Sequence, residues 1–377
     1  MATIVEVRPF VLGVGTRNLT FVRIRIDDGL EGIGEGTINY RVRAIHGAVE
    51  DFAMYLVGKD ASQIERHWQA LYRNSFFRGG PIQMTALSAI EQALWDIRGK
   101  QLGLPVWNLL GGAVRDRIPV YTHGGGSTPE AAAERCLQLV EERHRAIKMG
   151  VPGSVEPVLD ERAVHATAKQ VEAVRRAVGP EVKLMVDCHA KPTPHVAMRL
   201  AQALAPFGLL FLEEPIPPEN VDVLATIARS SPVPIATGER LYTRWGFREV
   251  VEQQAAAVLQ PDLGHAGGIL ETKKIAALAE TYYASVAPHN PRGPGVTMAS
   301  LHVAAGTPNF LIQEMVHHDP LREEMLVEPL RVVNGYIALP QAPGLGLRFD
   351  EALAERYPFV SRDTPHPVQA DGAVADW

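Results

Sequence analysis

The chain has 377 residues, of which 46% are hydrophobic, enough for a packed eight-stranded β/α barrel with a second domain. Its formal net charge of −6 is mild and spread along the sequence, without the basic stripe that nucleic-acid binding needs. These properties argue against a nucleic-acid partner and are typical of a soluble enzyme that acts on a small molecule.

The first ten residues carry charges inside their apolar run and lack the apolar core of a signal peptide. No apolar stretch of the sequence is long enough to span a membrane. The two cysteines, Cys136 and Cys188, fit neither a disulfide framework nor the spacing of a zinc site, and reduced thiols are the simplest interpretation. We therefore expect a cytoplasmic protein with no membrane partner.

Residues 1–118 have the pattern of an α+β domain. Aliphatic residues alternate with arginines over 22–26, which predicts a strand, and Asp28-Gly29 predicts the turn of a hairpin. The return strand is expected at residues 31–35. A helix is predicted over 83–100, where leucine and isoleucine recur on one face.

From residue 119 to 325, short apolar runs alternate with amphipathic helical stretches. This repetition predicts a parallel barrel, and Thr128-Pro129 marks the start of one of its helices. The segment 326–377 has a different pattern: Asn334-Gly335 predicts a hairpin, and we expect the segment to fold back on the first domain. The predicted barrel strands are 118–121, 146–148, 182–186, 209–212, 233–236, 257–259, 285–287 and 310–312.

Carboxylates close three successive apolar runs. Asp187, Glu213 and Glu239 are each 26 residues apart (213 − 187 and 239 − 213), so each interval holds one β/α unit. Since the strand ends of such a barrel share one rim, we expect the three acids side by side, where they repel unless a cation neutralises them. Oxygen ligands without cysteine or histidine favour Mg²⁺ over Zn²⁺. The alternative is that each acid caps a helix or is a solvated loop residue.

Histidines follow two of the predicted strands. His289 closes the seventh run, and Asp262, 27 positions earlier, closes the sixth. A neighbouring carboxylate orients an imidazole and raises its pKa, so His289 is predicted as a general base with Asp262 as its partner. His189 stands two residues after Asp187, and strand alternation predicts that it faces the same side. There it can protonate a leaving hydroxyl, unless it is a solvated loop residue.

The eighth run ends at Glu314. If protonated, this acid can donate a hydrogen bond to a substrate carboxylate or neutralise charge near it. A structural acid paired with an arginine is an equally good interpretation of the sequence.

These motifs resemble the mandelate racemase-like branch of the enolase superfamily. The resemblance is carried by Asp187, Glu213-Glu214-Pro215, Gly238-Glu239-Arg240, Gln260-Pro261-Asp262 and Ala287-Pro288-His289. Within that branch, other segments are most similar to the D-galactonate dehydratases, namely Asp187-Cys188-His189, residues 77–81, 92–97 and 262–269, and the C-terminal residues 374–377.

The resemblance implies a modified (β/α)7β barrel, residues 119–325, with an α+β capping domain, residues 1–118, that the C-terminal segment 326–377 completes. It implies Mg²⁺ as the cofactor and an acid sugar as the substrate. The expected reaction removes the C2 proton and eliminates the C3 hydroxyl, giving a 2-keto-3-deoxy acid. The residues that match the family's site are Asp187, Glu213 and Glu239 for the metal, His289 with Asp262 for the base, His189 for the acid, and Glu314 facing the enolate.

The chain departs from the pattern of its relatives at residues 188–191, in the loop 150–159 and at one position that concerns the base. Relatives often carry a second basic residue at the end of the second strand, where this chain has Gly150, with Lys148 two positions earlier. By the resemblance, the seventh-strand histidine serves substrates of R configuration at C2. We therefore expect a 2R aldonate, with D-galactonate first and D-gluconate or D-arabinonate next. Lys148 is expected to steady the substrate or a metal-ligand carboxylate.

Two other functions remain open from the sequence. His189 can serve as a second base, which keeps racemase, epimerase or cycloisomerase chemistry through the same enediolate as an alternative. A non-catalytic barrel that binds a metal or a sugar is the second alternative. Large cap-and-barrel enzymes commonly assemble, so we also expect a homo-oligomer.

Overall fold

The computed structural model describes residues 2–153, 160–316, 319–369 and 371–375. Residues 376–377 of the C-terminal motif lie outside the described residues, as do residues 154–159 in the loop after the second barrel strand. Among the helices that are described, none combines the length and apolarity needed to cross a membrane.

An antiparallel three-stranded sheet and helices form the N-terminal part of the chain. The predicted hairpin is confirmed, and the φ of +88° at Gly29 explains why glycine stands in its turn. The predicted helix over 83–100 is also confirmed, and Gly103 ends it in the left-handed conformation. The elements are β1 (Ile4–Val14), β2 (Arg17–Ile26), β3 (Glu31–Glu35), α1 (Val42–Leu56), α2 (Ile64–Arg73), α3 (Pro81–Leu102) and α4 (Val106–Leu109).

Strand β3 lies directly against helix α3, and glycines at the contact make this approach possible. A Cβ atom at Gly34 would lie 2.0 Å from the carbonyl oxygen of Ala89, a main-chain atom that cannot move aside. We expect Gly34→Ala to lower the free energy of unfolding by about 1–3 kcal/mol. The control is Gly47→Ala in α1, where the added Cβ meets no atom within 4 Å and should stabilise by about 0.5–1 kcal/mol. Urea denaturation measures both, and equal effects would contradict this packing.

Parallel strands form the barrel, and from the first to the seventh each is hydrogen-bonded to the next. The eighth pairs with the first, and a bridge between Val286 of the seventh strand and Phe310, just before the eighth, closes the circle. The predicted parallel barrel is therefore confirmed. In the described residues its strands are β4 (Arg117–His123), β5 (Ala146–Gly150), β6 (Lys183–Asp187), β7 (Phe211–Glu213), β8 (Ile235–Thr237), β9 (Val258–Leu259), β10 (Ser285–Val286) and β11 (Gln313–Glu314).

One helix of ten or more residues follows each barrel strand except β11, which is followed only by a six-residue helix, and this gives the (β/α)7β order that the resemblance implies. The start of the first of these helices is as predicted, because the side chain of Thr128 accepts a hydrogen bond from the amide of Ala131. The helices are α5 (Pro129–Glu141), α6 (Glu161–Val178), α7 (Pro194–Leu204), α8 (Val221–Ser230), α9 (Thr243–Glu252), α10 (Gly268–Glu280) and α11 (Pro294–Ala305).

Two strand predictions near the C-terminus were wrong in position. The eighth barrel strand is Gln313–Glu314 rather than 310–312, and it pairs with β4 only at Val120 and Tyr121. The first half of β4 therefore keeps a free edge. Strand β12 (Tyr336–Ala338) pairs antiparallel with that edge. On the other side of the predicted Asn334-Gly335 turn, residues 330–333 make a single bridge to β12, from Val333 to Tyr336, instead of a regular hairpin.

Helix α12 (Pro320–Met325) precedes the C-terminal segment, and α13 (Ala352–Arg356) follows β12 within it. After α13 the segment returns to the N-terminal part, where the amide of Gly13 donates to the carbonyl of Tyr357 at 2.9 Å. The amide of Leu345 donates to Asp96 at 2.7 Å. Segment 326–377 thus contacts both the barrel, through β12, and the N-terminal domain; the boundaries at 118 and 325 stay predictions.

Candidate active site

The polar residues predicted at the strand ends meet in one cavity of about 640 Å³. The N-terminal domain contributes to its wall through Arg17 and Tyr40, so this domain covers the strand ends as a cap does. Glu213 lies beneath the cavity and is fully buried. The predicted residues that line the cavity are Lys148, Asp187, His189, Glu239, His289 and Glu314.

Three carboxylates form a cluster at the end of β6, the end of β7 and just after β8. The register pairs Asp187 with Glu213, and one oxygen from each of Asp187, Glu213 and Glu239 lies within 4.8 Å of the others. Burial and the charge of Asp187 raise the pKa of Glu213 well above its usual range, so the negative charge here is not balanced by the protein alone. Convergent oxygen donors with excess negative charge fit a divalent cation.

Lys148 lies among these carboxylates. Its Nζ donates to Glu213 at 2.8 Å and lies 3.1 Å from Asp187 and 2.9 Å from Glu314. Burial lowers the pKa of this ammonium, but the three carboxylates together raise it well above its usual range, so it stays charged. Of the two roles expected for Lys148, these contacts are those of a residue that steadies metal-ligand carboxylates.

The position expected for a second base is open. Gly150 pairs in register with Asp187, whereas Lys148 pairs with Met185 and lies one pleat lower in the barrel. A Cβ atom at Gly150 would meet no atom within 4 Å. This side of the cavity therefore carries no side chain from the end of β5.

His289 and Asp262 are paired as predicted from their spacing. Nδ1 of His289 lies 2.9 Å from Oδ2 of Asp262, and because a carboxylate only accepts, the imidazole proton sits on Nδ1. The other ring nitrogen, Nε2, faces Glu239 at 3.2 Å. Burial lowers the pKa of His289, but Glu239, Glu314 and Asp262 outweigh it and raise the pKa to about 9. A cation held by Glu239 would oppose the effect of that carboxylate on the pKa and would favour the neutral imidazole that a base needs.

His189 reaches the cluster for a different reason than the one predicted. Strand β6 ends at Asp187, so strand alternation does not extend to His189; instead His189 has a φ of +49° in a left-handed turn. This turn lets its amide donate to Asp187 at 2.9 Å and brings Nε2 to 3.2 Å from the same carboxylate. The side chain is half exposed and lines the cavity.

Glu314 is buried and surrounded by positive charge and donors. Lys148, His289 and His123 hold its pKa well below the usual range, although burial alone raises it. Donation from Glu314 to a substrate carboxylate requires a protonated acid, which these contacts disfavour in the structure as it stands, and the role of Glu314 in the reaction stays a prediction. The amide of Asn290 donates to it at 2.6 Å.

Besides Arg17 and Tyr40 in the wall of the cavity, sequence reasoning missed two residues that contact the predicted site residues. Nε2 of His123, at the end of β4, lies 2.5 Å from Glu314. The search for polar residues that close the predicted strands, applied to this strand, identifies His123 as well. Arg292 donates to Oδ2 of Asp262 at 3.1 Å. It lies in the loop after β10, where the strand-end rule gives no signal.

Comparisons with known proteins agree with this fold. Residues 1–111 match the family described as mandelate racemase / muconate lactonizing enzyme, N-terminal domain, and residues 131–353 match the family described as enolase C-terminal domain-like. The chain belongs to the mandelate racemase-like branch of the enolase superfamily.

Two curated relatives are D-galactonate dehydratases. The one from Ralstonia nicotianae is 41% identical over 374 residues, and the alignment covers 95% of this chain and 96% of the relative. The one from Variovorax paradoxus is 40% identical over 369 residues with the same coverage. A solved mandelate racemase/muconate lactonizing enzyme from Jannaschia sp. CCS1 has a TM-score of 0.91 and 33% identity, covering 96% of this chain and 99% of that one. These names agree with the elimination of a hydroxyl expected from the sequence, the reaction of a carbon–oxygen lyase.

Proposed function

We propose that this enzyme is a Mg²⁺-dependent aldonate dehydratase that converts a 2R acid sugar into its 2-keto-3-deoxy acid. The observation that carries the proposal is the placement of two imidazoles against the carboxylate cluster. Nε2 of His289 lies 3.2 Å from Glu239, and Nε2 of His189 lies 3.2 Å from Asp187. One imidazole can thus take a proton and the other can give one, at the same bound substrate. The names of the relatives support the same reaction.

Asp187, Glu213 and Glu239 are the residues that would hold the metal ion. When bound, Mg²⁺ supplies positive charge to the substrate carboxylate while the adjacent carbon loses its proton. Lys148 neutralises part of the charge of the buried ligands and keeps them in place, through its contacts to Asp187 and Glu213.

His289 takes the C2 proton of the substrate on Nε2. Asp262 holds the other ring nitrogen protonated, so that Nε2 has a free lone pair, and it stabilises the imidazolium that forms. The electron pair of the C2–H bond first passes to the substrate carboxylate, which gives an enediolate, and then forms the C2–C3 double bond as the C3–O bond breaks. His189 gives its proton to the departing hydroxyl, which leaves as water. The resulting enol takes up a proton at C3 and becomes the 2-keto acid.

The rival functions predict different products. A racemase or epimerase needs bases on both faces of C2, and the absence of a side chain at Gly150 counts against it. A cycloisomerase uses the same enediolate without losing water. A non-catalytic barrel does not need the His289–Asp262 pair, which the chain retains.

A panel of aldonates tests the proposal directly. We expect purified enzyme with Mg²⁺ to form a 2-keto-3-deoxy acid from D-galactonate, or failing that from D-gluconate or D-arabinonate. The same panel in D₂O reports exchange at C2 by NMR. Exchange without keto product would favour a racemase or epimerase, and neither exchange nor product would favour a binding protein. A cytoplasmic location and assembly into a homo-oligomer also remain part of the proposal.

A further inference from the structure

A carboxylate from the capping domain completes a helix of the barrel. Glu35 ends β3 and is fully buried, and its two oxygens accept from the amides of Gly293 at 2.9 Å and Val296 at 3.1 Å. These amides begin α11, which has no side-chain cap of its own. The first amides of a helix lack partners within the helix and favour a negative charge, so Glu35 fixes where α11 begins.

The start of α11 is built around this side chain. A Cβ atom at Gly295 would lie 2.5 Å from the Cβ of Glu35, and one at Gly293 would lie 3.0 Å from its Oε2. At Gly295 only glycine fits while Glu35 is in place, and at Gly293 a side chain would require Leu19 and Glu35 to shift. The position of Glu35 and that of the chain between Gly293 and Gly295 therefore depend on each other.

The loop held in this way carries the predicted base. It runs from His289 to Gly293, and Arg292, which precedes Gly293, donates to Oδ2 of Asp262 at 3.1 Å. The same oxygen is 2.9 Å from Nδ1 of His289. A shift of Gly293 thus moves a donor to Asp262 and changes the orientation of the imidazole.

A second contact links Glu35 to Asp262 from the other side. The side-chain oxygen of Gln92 in α3 accepts from the backbone amide of Glu35 at 3.1 Å, and its side-chain nitrogen donates to the carbonyl of Glu35 at 3.0 Å. The same side-chain nitrogen donates to the carbonyl of Leu263, next to Asp262, at 2.9 Å. The capping domain therefore contacts the loops of both members of the pair.

We propose that Glu35 is a positioning residue that sets the geometry of the Asp262–His289 pair from the capping domain. It does not touch the cavity, and its effect on the reaction passes through Gly293 and Arg292. The expected loss of kcat rests on the proposed function, whereas the expected change in the geometry of the Asp262–His289 pair does not.

Glu35→Gln is the test variant. Both oxygens of Glu35 accept from backbone amides, so glutamine keeps the size but turns an NH₂ group toward one of these donors. The matched control is Glu91→Gln. Glu91 is also a buried capping-domain carboxylate that accepts from two backbone amides at a barrel helix, those of Ile269 and Leu270 in α10. Burial raises the pKa of Glu35 and of Glu91 alike to about 7.

Both variants should lose similar stability, but only one should lose catalysis. We expect Glu35→Gln to lower kcat about 10–100-fold with little change in KM, the size seen when an outer residue misplaces a catalytic group. Glu91→Gln should keep kcat within about threefold of wild type. Equal loss of kcat in the two variants, or wild-type kcat in Glu35→Gln, would overturn the proposal.

A readout without turnover separates this proposal from the proposed function. The proton on Nδ1 of His289 is hydrogen-bonded to Asp262 and should give a resolved NMR signal in ¹⁵N-histidine-labelled protein, assigned by its loss in His289→Asn. We expect Glu35→Gln to shift or broaden that signal and Glu91→Gln to leave it unchanged. If no aldonate is dehydrated but the signal responds in this way, the reaction is wrong and the positioning role stands. An unchanged signal in Glu35→Gln would overturn the positioning role whatever the substrate.

Discussion

His289→Asn should abolish both dehydration and exchange of the C2 proton, with losses of at least about 10²–10⁴-fold, the contribution typical of a positioned base. The reason is that the imidazole is the proton acceptor for the first step, on which both outcomes depend. Nε2 of His289 points toward Glu239 in the cavity, and Asp262 holds the opposite nitrogen. Product formation and ¹H NMR exchange in D₂O measure the two losses separately.

His189→Asn is the control for this experiment. His189 lies against Asp187, away from the Asp262 pair, and is proposed to act only when the C3–O bond breaks. Dehydration should therefore fall strongly while exchange at C2 continues. If the two variants lose exchange equally, His189 is a second base rather than the acid, and racemase or epimerase chemistry gains support.

Glu239→Gln should abolish activity, a loss of about 10²–10³-fold or more at limiting Mg²⁺, with little loss of folding. Glutamine keeps the shape of the side chain but removes the charge that a divalent ion needs. It also removes one negative charge from the cluster of Asp187, Glu213 and Glu239, so the repulsion among these carboxylates falls when no metal is bound.

Calorimetric titration with Mg²⁺ and thermal denaturation check the two parts of this prediction. Glu219→Gln is a suitable control, because Glu219 is an exposed acid in the loop after β7 and does not line the cavity. Wild-type turnover of Glu239→Gln at limiting Mg²⁺ would show that Glu239 is not a metal ligand.

The register of the carboxylates could be predicted because it follows from chain connectivity. One β/α unit separates Asp187 from Glu213, and parallel strands that are neighbours in sequence are neighbours in the sheet, so the two residues pair in register. The same reasoning predicted that His289 lies beside Asp262. Spacing along the chain is sufficient for residues that end consecutive strands of a barrel.

Contacts between distant parts of the chain could not be predicted in this way. Glu35 meets Gly293 across 258 positions, and no local pattern marks either residue as the other's partner. Strand β12 pairs with β4 because β11 leaves half of that strand free, which depends on lengths that periodicity does not fix. The left-handed turn at His189 was not predicted either, because strand alternation was extended past Asp187, where β6 ends.

The central claim is that a single base, His289, removes the proton from C2 of a 2R aldonate. The measurement that tests it most directly offers both C2 epimers of one aldonate at equal concentration, with Mg²⁺, and follows the keto product. With Gly150 on the opposite face and Lys148 held by buried carboxylates, we expect product from the 2R epimer and none from the 2S epimer. Faster turnover of the 2S epimer would contradict the account and would identify Lys148 or His189 as the base.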